Sequence, residues 1–187
     1  MWEEVIQLAQ TIEFSGEEDC LIWQYTSSGV YSSQSLYSII NFRGIKPVYL
    51  PAIWDIKVPP RVHIFLCLLS KNKTLTRDNL SIRQHVNDKT CLFCCELEIV
   101  NHLFFDCVVS CQVRKTISEL LGFDVGYCYE QIAGKWLPQK KFGLINIISS
   151  AALWSIWKLR NDLCFQASQW LNMNMVWFRL GAMLKRW

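Results

Sequence analysis

Four residues near the middle of this chain have the types and spacing to do metal chemistry: Cys91, Cys94, His102 and Cys107, arranged C-x2-C-x7-H-x4-C. Two cysteines separated by two residues fold as a tight turn whose thiolates converge on one ion. A later histidine and cysteine then complete a tetrahedron, with ligand distances of about 2.0 to 2.3 Å for zinc. Filling all four positions with protein ligands predicts a single structural Zn2+ with no open position for water. Cys95 and Cys111 lie close enough in sequence to stand in for a neighbouring ligand, so the second and fourth positions stay open at this point; Cys94 and Cys107 are preferred. His63 and Cys67 are spaced i, i+4 but have no further ligands near them, and core packing or surface placement explains them better.

The chain has nine cysteines. An odd number leaves at least one unpaired under any disulfide scheme, and metal binding accounts best for the clustered ones. The first twenty residues hold six acids and no Lys or Arg, so they do not read as a secretory signal. The protein is expected inside the cell, in nucleus or cytoplasm, and not secreted. The longest uncharged apolar stretch, residues 142–157, has 16 residues, short of the roughly 18 to 20 that a spanning helix needs, so no membrane partner is expected. No enzyme is expected either, because neither a carboxylate pair set in a site nor a Ser/His/Asp arrangement accompanies the three histidines.

A net charge of +3 is too small to announce a nucleic-acid binder, but residues 43–89 hold nine Lys/Arg against three acids. A polyanion would meet this region, through Arg61, Lys71, Lys73, Arg77, Arg83 and Lys89. The same residues would also serve simply to solvate an exposed helix face. Phe93 or His85 could stack on a base.

These side chains need elements to position them. Leu21, Trp23 and Tyr25 alternate ahead of Ser27-Ser28-Gly29, which predicts a small β-hairpin. Ser32 or Ser33 can cap a helix over 34–41, with Leu36, Ile39 and Ile40 as its apolar stripe and Gly44 and Pro47 ending it. Residues 43–53 read as a loop. Pro59-Pro60 opens the clearest helix, with Val62, Phe65, Leu66 and Leu69 at i, i+3, i+4 and i+7. A further helix from about Thr76, capped by Thr76 or Asp78, leads to the cysteines. Leu103, Phe104 and Phe105 are expected to bury and hold the ligands, since a zinc knuckle has little core of its own. Beyond Cys107 the pattern predicts a helix over 108–121 stopped by Gly122, an irregular connection over 126–138, and two tryptophan-dense helices over 144–165 and 168–186.

Hydrophobic residues make up 51% of the 187, charged residues 19%, and the mean hydropathy is +0.14. Such a chain can bury a sizeable core. The expected fold is mainly α: a small helical domain with an N-terminal β-hairpin and a CCHC zinc knuckle, followed by C-terminal helices. The expected segments are an acidic one over 1–19, the zinc-binding domain over 20–110 and a helical extension over 111–187.

Ordered blocks over residues 20–110 resemble the zinc-binding domain downstream of the reverse transcriptase in plant non-LTR (LINE-like) retrotransposons. They are Trp23 with Ser28-Gly-Val-Tyr31-Ser and Ser35-Leu-Tyr37; Ile53-Trp54; Pro59-Pro-Arg-Val62 with Phe65-Leu; Leu75-Thr-Arg-Asp-Asn-Leu80 with Arg83; the Cys91/Cys94 pair; and His102-Leu-Phe-Phe-Asp-Cys107. Trp154-Ser-Ile-Trp157-Lys-Leu-Arg160-Asn161 looks like the linker that follows this domain. Cys67 stands where the family usually has tryptophan, and no polymerase aspartate pair, endonuclease or RNase H carboxylate set is present, so catalysis does not carry over. The resemblance implies an accessory module that binds RNA or DNA. The alternative is a zinc-stabilised protein-interaction domain whose aromatic C-terminal helices dock on a protein partner or a second copy.

Overall fold

A computed structural model describes residues 2–11, 16, 20–41, 49–166 and 168–187. The chain separates into two compact units, Met1–Lys46 and Pro47–Trp187. Of the loop expected over residues 43–53, residues 43–48 lie outside the described residues, as do most of the N-terminal acids, and the remainder is helical instead of irregular.

The first unit contains α1 (Trp2–Gln10) and α2 (Ser33–Asn41). Ser32 caps α2 reciprocally. The Ser35 N–H donates to Ser32 Oγ at 3.1 Å and the Ser32 N–H to Ser35 Oγ at 3.2 Å, so two otherwise unmet amides are satisfied. The predicted hairpin does not form: among the described residues there is no strand. The segment curls instead through consecutive turns, with Trp23 N–H bonded to Gly29 O, Thr26 N–H to Trp23 O and Gly29 N–H to Thr26 O. Gly29 supplies the left-handed φ of +68° that this closure requires. The Trp23 ring packs edge-on to Tyr25 and Tyr31, while Leu21 is fully exposed. Alternation without a second sheet to bury it gives turns, not a ladder.

The second unit begins with α3 (Tyr49–Ala52) and a 3-10 turn over Ile53–Asp55, then α4 (Pro60–Ser70) and α5 (Arg77–Ser81). Pro60 occupies the first turn of α4, where the N–H it lacks would have no helical acceptor. Val62, Phe65, Leu66 and Leu69 are all buried, as their spacing predicts. In α5 the apolar contacts are uneven, since Leu80 is half-buried and Ile82 is exposed. After the metal-binding segment come α6 (Val108–Leu121), α7 (Tyr129–Gly134), α8 (Gln139–Phe165) and α9 (Asn174–Leu184). Gly122 ends α6 with a φ of +58°.

Helix α7 lies in what reads as an irregular connection. Tyr129, Ile132, Ala133 and Trp136 form a buried stripe that the flanking Gly126, Gly134 and Pro138 disguise in the sequence. Helix α8 is the centre of the unit, with α4, α6 and α9 all packed on it. Ser149, Ser150, Ala151 and Ala152 are buried there, small enough to let neighbouring helices approach closely. Its Lys140–Phe165 stretch is long and apolar enough to cross a membrane, yet half of the apolar window is buried within the unit. Helix α9 runs antiparallel to α8, with Ser155 against Met183 and Asp162 paired with Arg179. The segment around Trp154 and Trp157, which looks like a linker by resemblance, is core. Phe65 of α4 packs edge-on against Phe104 and Trp154 and stacks on Trp157.

Candidate metal centre

The knuckle is built from a narrow loop closed at its base. Asp88 accepts bonds from the N–H and hydroxyl of Thr90, Thr90 forms an isolated antiparallel bridge with Leu97, and Glu98 N–H bonds Lys89 O at 2.8 Å. Within the loop the Cys95 N–H returns to Cys91 O at 3.0 Å and Cys95 takes a φ of +64°. That left-handed residue turns the chain back immediately after the second ligand.

His102 and Cys107 are placed by a different device. Residues His102–Asp106 form a π turn in which the Cys107 N–H reaches His102 O at 2.7 Å. The i to i+5 bond stacks the sixth residue over the first, so the imidazole and the thiol come to the same side. Leu103, Phe104 and Phe105 between them are buried, anchoring the turn as their composition predicts.

The four ligand atoms all lie within 4.8 Å of one another. Cys91 Sγ is 3.9 Å from Cys107 Sγ, Cys107 Sγ is 3.7 Å from Cys94 Sγ, and Cys94 Sγ is 3.1 Å from His102 Nε2. A tetrahedron with zinc–sulfur bonds of about 2.3 Å has sulfur–sulfur edges of about 3.8 Å, so the donor set fits one zinc ion. Cys95 and Cys111, the two alternative ligands, are outside this cluster. Cys95 is exposed, and the Cys111 thiol points at the Phe105 carbonyl, 3.1 Å away.

Within the cluster the thiols alter one another's acidity. A hydrogen bond shared with Cys107, and then burial, push the Cys91 thiol far up. The same bond draws the Cys107 thiol down, and burial raises that of Cys94. The amides of Phe93, Glu96 and Val109, each two residues beyond a cysteine, favour the thiolate at Cys91, Cys94 and Cys107 in turn. Zinc supplies the remaining charge, and its binding must displace protons. With four protein ligands its role is structural: it ties the Cys91–Cys95 loop to the π turn.

Of the basic residues, Arg61, Lys71, Lys73, Arg83 and Lys89 are exposed. Arg77 is not: it bonds Asp88 Oδ2 and Thr90 O, each at 2.7 Å, and closes the base of the knuckle. The bonds from Thr90, and then the one from Arg77, hold the Asp88 carboxyl down at about 2. His63 is a buried core residue, bonded through Nε2 to Ile56 O at 2.8 Å and packed on Trp54. Phe93 is half-buried and meets the edge of Trp170, which leaves exposed His85 as the freer ring.

The role of Glu98 was not predicted from the sequence. It is fully buried, accepts the Arg77 backbone N–H at 2.8 Å at the start of α5, and is gripped by Arg160 of α8 through Nε and Nη2. The α5 cap is thus a carboxylate 21 residues away, where Thr76 or Asp78 was expected. An acid inside Leu97-Glu98-Ile99-Val100 was the available hint; its partner lies 62 residues on.

No curated protein and no solved structure matches the chain. Residues 31–113 match the family model for zinc-binding in reverse transcriptase. The matched stretch contains all four ligands and stops inside α6, leaving α7, α8 and α9 outside it. Over residues 31–113 the chain is therefore similar to the zinc-binding domains of reverse transcriptases.

Proposed function

We propose that the chain is a non-catalytic zinc module that binds RNA or single-stranded DNA, with Arg61, Lys71, Lys73, Arg83 and Lys89 neutralising phosphates. The observation that carries this reading is the exposure of these five residues within the stretch of nine basic residues against three acids that precedes the zinc loop. Arg77, the sixth, serves the knuckle instead. The resemblance to retrotransposon domains supports an origin in an element polyprotein, and such a role is exercised in the nucleus or cytoplasm.

The test is binding to single-stranded RNA and DNA across a salt series. Phosphate contacts give a slope of log affinity on log salt of about −0.7 per neutralised phosphate. Replacing Lys71 and Lys73 by glutamate should weaken binding for every sequence and flatten the slope. No salt-dependent binding, or no effect of these changes, would refute the reading. One observation favours a protein partner instead: Phe165, Leu171 and Phe178 near the C-terminal helices are 74%, 74% and 82% exposed. Concentration-dependent self-association of the purified chain, lost on Phe178→Ser, would support that second reading.

A further inference from the structure

The π turn that aligns His102 with Cys107 leaves its own carbonyls without helical donors. Cys107 takes an extended ψ of 139°, so the amides that follow turn away into α6. Side chains from the first two turns of α6 fill the gap. Ser110 Oγ donates to Leu103 O, Arg114 Nη1 to Phe104 O at 2.8 Å, and Arg114 Nη2 to Phe105 O, which also receives the Cys111 thiol. Three consecutive carbonyls are thereby met by one helix.

Arg114 is only 9% exposed, and among the described residues it has no carboxylate partner. Its guanidinium carbon lies 5.7 Å from the Phe105 ring centre. A buried cation without a counter-charge is costly. Three thiolates and one imidazole around Zn2+ carry a net charge of −1, however, and Arg114 grips the turn that holds two of those ligands. We propose that Arg114 is a positioning residue of the metal centre. Its planar fork fixes the π turn in the form that aligns His102 with Cys107, and its charge balances the ligand set. The residue lies one position beyond the matched segment, which ends at Val113.

The test uses the full chain loaded with one zinc, and follows release to a chromogenic chelator together with the visible spectrum after Co2+ exchange. Arg114→Met keeps length and burial but removes charge and donors. Ile117→Ala, a core change on the same helix, controls for loss of stability. Partners of ligating residues contribute roughly 10- to 100-fold to metal affinity. The expectation is release at least tenfold faster in Arg114→Met with shifted Co2+ bands, and release within twofold of the parent chain in Ile117→Ala. Equal acceleration in both variants, or unchanged release in Arg114→Met, overturns the proposal. Should Arg114→Met fail to fold, Arg114→Lys decides: it keeps the charge but lacks the fork, so parental release and spectrum overturn the positioning role.

Discussion

Cys94 and Cys95 are adjacent and chemically identical, yet the backbone gives them opposite tasks. Cys94 faces the other ligands, while Cys95 turns the chain with its φ of +64°. A non-glycine residue in that region costs roughly 1 to 2 kcal/mol. Cys95→Gly should therefore keep a full equivalent of zinc by metal analysis and leave stability within about 1 kcal/mol of the parent or improve it. Cys91→Ser and His102→Ala should each lose the zinc and with it the cooperative thermal transition. Because zinc displaces thiol protons, its affinity should fall as pH drops, and calorimetry in buffers of different ionisation heat should detect proton release on binding. At this scale the four-ligand pattern was legible from spacing, while the choice of Cys94 over Cys95 and of Cys107 over Cys111 is made by the fold. Glu98 and Arg114 were not legible, since each acts on backbone or side-chain groups whose nearness only the folded chain creates.

Elements are held to the knuckle through Glu98. Its carboxylate starts α5 by taking the Arg77 amide and binds Arg160 of α8, with both side chains essentially inaccessible to water. Removing one partner of a buried ion pair leaves an uncompensated charge and costs about 3 to 5 kcal/mol. Glu98→Ala should show a loss of that order in denaturant unfolding of the zinc-loaded protein. Arg160→Met combined with it should cost much less than the sum of the single changes. Helices with strong apolar stripes, α4 above all, were readable from periodicity. The β-hairpin was misread because alternation carries no information about whether a partner surface exists, and α7 was missed because breakers at its ends outweigh a stripe only two turns long.

In the second unit as a whole, the metal site and the C-terminal helices share one core. Phe65 and Phe104 lie inside the matched segment, whereas Trp154 and Trp157, which cover them, lie outside it. A chain shortened to end at residue 113 would expose this aromatic cluster and strand Glu98 without Arg160. It should bind an apolar dye and lack a cooperative melt even with zinc added. The length and apolarity of α8 were plain in the sequence, but its place at the centre was not. The buried run Ser149-Ser150-Ala151-Ala152 contributes little hydrophobic signal, although its small side chains allow neighbouring helices to come close.

The π turn makes the interval between histidine and cysteine a record of helical pitch. With four residues between them, His102 and Cys107 come to the same side because the turn closes from residue i to i+5. In an α-helix each residue advances about 100°, so the same interval would leave the two ligands about 140° apart around the axis. Deleting any one residue of the 103–106 stretch would therefore do more than shorten a loop. It would change the kind of helix that can form there, and a chain with one residue fewer would have to find another way to bring its last two ligands together.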